Sequence, residues 1–158
     1  MNALEPAIQI VERLRTALET ELVQARGQRL LIRALDTQGL FERARQRSIF
    51  NLQLAQLEGE LGRNLTTVGQ TLGLAQVTLT DLRQAVPEAA QRLDSILAEV
   101  RNLAEALREI DDINRKLGER ALGRVRRTLT AMVPRPVAYD RRGAHQPMEA
   151  LSTASRVA

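Results

Sequence analysis

Apolar residues recur at spacings of three and four along most of the chain. Leu4, Ile8, Val11, Leu14, Leu18, Leu22 and Ala25 form one such stripe. It predicts an amphipathic helix over residues 5–34, with Pro6 accommodated in the first turn. Asp36-Thr37-Gln38-Gly39 is the first interruption. Asp36 or Thr37 can accept from the free N–H groups of a following helix. A second stripe predicts a helix over about 38–64: Leu40, Phe41, Ala44, Ile49, Phe50, Leu52, Leu54, Leu57, Leu61 and Leu65. Two helices of similar length with a short link favour an antiparallel hairpin. Phe41 and Phe50, the two Phe residues, are expected to anchor its core.

From Gly59 to Thr80 the chain changes character. Four glycines alternate with five threonines, which predicts a loop with at most a short helix inside. Thr78 then caps a short helix over Leu79–Ala85, with Asp81 near its positive end. Pro87 opens the longest element. Leu93, Ile96, Val100, Leu103, Leu107, Ile110, Asn114 and Leu117 hold the alternation, and Leu122, Val125, Leu129 and Met132 continue it after a phase slip. Residues 87–132 would make a rod of roughly 70 Å, against about 40–45 Å for each earlier helix. The long helix is therefore expected to outreach the hairpin and leave an apolar stripe uncovered, a feature that marks partner sites. Pro134 and Pro136 end the pattern, and the small, polar, basic stretch after them is expected to be disordered. The pattern thus predicts an all-α protein. An antiparallel helical hairpin, a short helix and one long C-terminal helix form a coiled-coil-like bundle over residues 1–133. A disordered basic tail covers 134–158.

Composition supports helices and excludes much chemistry. Only 2 % of the 158 residues are aromatic, so Leu and Ala must do the packing. The absence of Cys excludes disulfides and thiolate metal sites. A single His, His145, argues against a His-based metal site or a Ser-His-Asp centre. The neighbouring carboxylates Asp111 and Asp112, or Glu58 and Glu60, do not face each other on a helix. No catalytic role and no cofactor is expected. Gly118 and Gly123 do not make a phosphate loop, because Arg-Val follows them inside a helical pattern. No apolar run approaches the roughly 18–20 residues that cross a bilayer. Residues Met1 to Pro6 lack the basic start and apolar stretch of a signal peptide, so a cytoplasmic protein is expected.

The net charge of +4 is unevenly spread. Residues 113–158 hold ten of the 23 basic residues and three of the 19 acidic ones. With 22 Arg and one Lys, this end suits bidentate contacts to an acidic partner. Its other reading is a solvated helix face followed by an idle tail.

The order of elements resembles the FlgN family, flagellar export chaperones for hook–filament junction proteins. Ala34–Phe50 is similar to the family's helix–turn–helix, with an Asp at the turn and a basic residue near Arg47. Val77–Pro87 is similar to its short helix. Asp111-Asp-Ile-Asn-Arg-Lys-Leu117 is similar to its Leu-Asn-x-x-Asn-x-x-Leu stretch, with Asp111 where the first Asn is usual. Val137–Gly143 is similar to its Tyr-containing tail. The resemblance implies a cytoplasmic chaperone. It would hold the C-terminal helical region of hook-associated proteins of FlgK and FlgL type, keep them unpolymerised and bring them to the type III export gate.

On that basis the expected client-binding residues are Asn114, Leu117, Ala121, Leu122, Val125, Leu129 and Met132, with a helix-in-groove contact covering the stripe. Met132 adds adaptability. Asn114 either fixes register, as buried polar residues do in coiled coils, or faces solvent. Tyr139, the one Tyr, is the expected gate anchor, with Arg141 and Arg142 assisting by charge. Two competing readings remain. One is a structural coiled-coil homodimer with the stripe as its seam. The other is a nucleic-acid or membrane-surface protein acting through its basic tail, although it lacks the aromatics that stack on single strands.

Overall fold

The structure, a computed structural model, describes residues 3–73 and 77–133, with the backbone alone at 138–139 and 145–146. Four helices follow in order: α1 (Glu5–Ala34), α2 (Thr37–Leu72), α3 (Leu79–Ala85) and α4 (Pro87–Met132). The chain divides into two compact units, Met1–Ala121 and Leu122–Ala158.

In the first unit α1 turns sharply into α2. Leu35 takes a left-handed conformation (φ 53°), and the Asp36 N–H returns to the Leu31 carbonyl at 3.0 Å. This closes the end of α1 in the manner usual for helix C-termini, but with Leu in the place that Gly normally holds. Asp36 caps α2 by accepting from the Gly39 N–H at 2.9 Å. A Cβ on Gly39 would lie 2.5 Å from the Asp36 carboxylate and 2.8 Å from Leu31, so the cap demands glycine.

Ion pairs report the helix directions. Arg13 with Glu60, and Glu21 with Arg43, run α1 and α2 antiparallel. Arg92 with Glu12, and Arg15 with Glu99, run α1 and α4 parallel. At the end where α1 and α4 begin, Leu4, Ile8 and Val11 pack with Val68, Leu82, Ala90 and Leu93. Farther along, Leu18, Leu22 and Ala25 meet Phe50, Leu107 and Ile110. The short α3 contributes Leu82 to this core and starts with a full capping box between Thr78 and Asp81.

Two expectations need correction. The stretch from Gly59 is not a loop, because α2 runs through Gly59, Gly62 and Gly69 to Leu72. Each helical Gly costs about 1 kcal/mol relative to Ala. Burial outweighs that cost, since Leu57, Leu61, Leu65, Val68 and Leu72 all pack inward on one side of α2. The threonines stay helical by bonding backwards. Thr66, Thr67 and Thr71 donate to the carbonyls of Gly62, Arg63 and Thr67. The helix ends at Gly73, whose φ of 68° is left-handed.

The second correction concerns Phe41. Phe50 is buried at 7 % exposure, but Phe41 is 79 % exposed and anchors nothing. Nine residues apart, the two rings point to opposite sides of α2, and the core takes only one.

The second unit holds the last turns of α4, from Leu122 to Met132. It also holds an antiparallel pairing of Ala138–Tyr139 with His145–Gln146. The rest of the expected disordered tail lies outside the described residues.

Candidate functional site

Charged residues inside the first unit form a polar layer that the apolar pattern conceals. Glu21 is 2 % exposed and accepts from both Arg43 and Arg47. Arg47 also donates to Asp111 at 2.7 Å and lies over the Phe50 ring, 5.4 Å from its centroid. Two carboxylates thus answer two guanidiniums, so no buried charge is left alone. Asp111, which departs from the family pattern, is the residue that completes the set. One turn on, Asn114 is buried and donates to the Ala25 carbonyl at 2.7 Å. Sequence reasoning missed this layer, although a signal existed. Glu21 lies three residues after Leu18 and four before Ala25, within the phase of the α1 stripe.

The outer face of α4 just after this layer is tied by exposed pairs. Asp112 accepts from Lys116 at 2.6 Å and from Arg115. Those bonds, Lys116 first, hold the Asp112 carboxyl below its usual range, and the bond to Asp112 raises the Arg115 guanidinium. An open groove of about 750 Å³ lies between α1 and α2. Gln9, Thr16, Thr20, Gln24, Gln46 and Gln53 give its walls amide and hydroxyl character.

The sequence-predicted site residues divide between the two units. Asn114 and Ala121 are buried in the first unit, and Leu117 is half-buried there. Leu122, Leu129 and Met132 belong to the second unit and are exposed, Met132 by 73 %. Val125 is half-buried. The backbone of Tyr139 pairs with His145. The Tyr139 side chain, Arg141 and Arg142 lie outside the described residues. No group of His, Cys, Asp and Glu able to hold a metal occurs among the described residues. No described helix is long and apolar enough to cross a membrane.

A family model, FlgN protein, matches residues 1–147 of the chain. The chain belongs to the FlgN family. FlgN proteins are export chaperones of flagellum assembly, and the all-α bundle agrees with that role. The family is one of chaperones and not one of known enzymes. No curated protein and no solved structure matches the chain.

Proposed function

We propose that this FlgN chain binds the C-terminal helical region of hook-associated proteins of FlgK and FlgL type in the cytoplasm. It keeps them from polymerising and delivers them to the flagellar export gate. The observation that supports this reading is the exposure of Leu122, Leu129 and Met132 along the last three turns of the same helix. An amphipathic client helix covering such a stripe gains about 25 cal/mol for each Å² of apolar surface removed from water. Val125 would complete the contact, and Met132 would adapt it to more than one client. Leu117 would serve the same client from the neighbouring turns. Asn114, buried and bonded to Ala25 of α1, and the buried Ala121 would hold α4 in place rather than meet the client.

Calorimetric titration with the C-terminal segments of the FlgK- and FlgL-type proteins of the same organism tests the proposal. One-to-one binding by the full chain, lost in Leu122→Glu/Leu129→Glu, supports it. Absence of binding to either segment overturns it. Tyr139, aided by Arg141 and Arg142, is proposed to contact the gate. For Tyr139→Ala the reading requires lost export with client binding intact, and unchanged export removes that role.

A further inference from the structure

We infer that α4 between Arg115 and Ala121 opens while the core of the first unit stays folded, and that the Arg47–Asp111 pair and the Asn114–Ala25 bond stop the opening there. This motion requires no partner.

Up to Asn114, side chains tie α4 to the other helices. Arg92 pairs with Glu5 and Glu12, Glu99 accepts from Arg15, Asp111 accepts from Arg47 and Asn114 donates to Ala25. After it these ties cease. Among the described residues, the side-chain bonds of α4 beyond Asn114 all stay inside α4. Arg115 pairs with Asp112 and Glu119, Lys116 pairs with Asp112, and Thr128 and Thr130 donate to carbonyls one turn back.

The apolar core stops at the same level. Its clusters extend to Ala25 on α1, Phe50 on α2 and Ile110 on α4. Beyond the polar layer, Ile32 and Ala121 are the buried apolar residues of the described first unit, and neither joins a cluster. Leu30, Leu35 and Phe41, at this end of the hairpin, face solvent. An open cleft of about 260 Å³ lies beside the layer, with Gln28 of α1, Leu40 of α2 and Asp111 of α4 in its lining. A Cβ at Gly118 would meet nothing within 4 Å, so no neighbouring helix packs on that turn of α4, and glycine itself weakens the helix there.

A segment with few buried apolar groups and no bonds to its neighbours opens locally, far below the cost of global unfolding. Opening farther inward would take Asp111 from Arg47 and leave two guanidiniums on the one buried carboxylate of Glu21. It would also strip Leu107 and Ile110 of their cover. The polar layer therefore marks the boundary.

The chain has no Cys, so single cysteines report opening without background. Ala121→Cys, Ala25→Cys and Ala90→Cys each place a thiol at a buried alanine, the first beyond the layer and the others in the core clusters. Circular dichroism and urea unfolding check that each full-length variant keeps the fold. With a disulfide reagent in low urea, Ala121→Cys is expected to react about tenfold or more faster than the other two, with a shallower urea dependence. Adding Asp111→Asn lets the opening run inward, so Ala25→Cys then reacts about threefold faster while Ala90→Cys is unchanged. Equal rates with equal urea dependence at all three positions overturn the inference. A rate at Ala25→Cys that ignores Asp111→Asn overturns the role of the pair as the stop. If Ala121→Cys does not fold, hydrogen exchange of the natural chain decides. Faster, less urea-sensitive exchange in residues 115–121 than in 96–110 supports the opening, and exchange of both stretches only together overturns it.

Discussion

The side-chain amide of Asn114 donates to the carbonyl of Ala25 across 2.7 Å, within the contact of α4 with α1. Its other end is unsatisfied, because Asn114 Oδ1 is buried with no hydrogen-bond partner. Such a group lowers stability, yet it penalises every register that does not deliver Asn114 to a carbonyl. Asn114→Leu removes the orphan oxygen and adds apolar burial. We expect it to raise the thermal midpoint, by about 1 kcal/mol in stability, while broadening the distribution of species in sedimentation. A lowered midpoint would contradict this account.

Glu21 makes the opposite case. With Arg43 buried and Arg47 partly buried around it, removing its charge strands cations in the interior. Glu21→Gln is expected to cost about 3–5 kcal/mol in urea unfolding. The double change Glu21→Leu/Arg43→Leu should cost much less than the two single changes together, because it removes both members of the pair. Additive losses would show that the pair does not act as a unit.

The two phenylalanines differ by position alone. Phe50→Ala opens a cavity between α1, α2 and α4 and should cost about 3–5 kcal/mol. Phe41→Ala, at 79 % exposure, should change stability by no more than about 0.5 kcal/mol. Chemical denaturation of both variants settles the ranking, and comparable losses would refute the placement of Phe41.

Glycine is misplaced in two directions. A Cβ at Gly62 meets nothing within 4 Å, so Gly62→Ala should stabilise α2 by about 0.5–1 kcal/mol. Leu35 holds the left-handed turn at φ 53°, so Leu35→Gly should relieve strain there and raise the thermal midpoint. A drop in stability for Gly62→Ala would mean that α2 does not continue through that position.

The helices were legible because apolar residues return every three or four positions, and because Asp36 and Thr78 cap where caps are expected. The end of α2 was not legible. Local preference at Gly59, Gly62 and Gly69 opposes a helix, and only burial of Leu61, Leu65 and Val68 against other elements overrules it. The exposure of Phe41 was hidden for a related reason: α2 carries apolar residues on more than one side, so spacing alone does not say which side is covered. The polar layer was the least readable part. Glu21, Arg43, Arg47 and Asp111 look like surface charges until three helices bring them together. Asp111, where the family usually has Asn, is accounted for by its bond to Arg47.

The most direct test of the account is hydrogen exchange of the full chain with and without the C-terminal segment of a FlgK-type protein. The account predicts that the segment slows exchange in residues 122–133 and leaves the α1–α2 hairpin unchanged. Protection confined to the α1–α2 groove, or residues 122–133 already protected in the free chain, would contradict it.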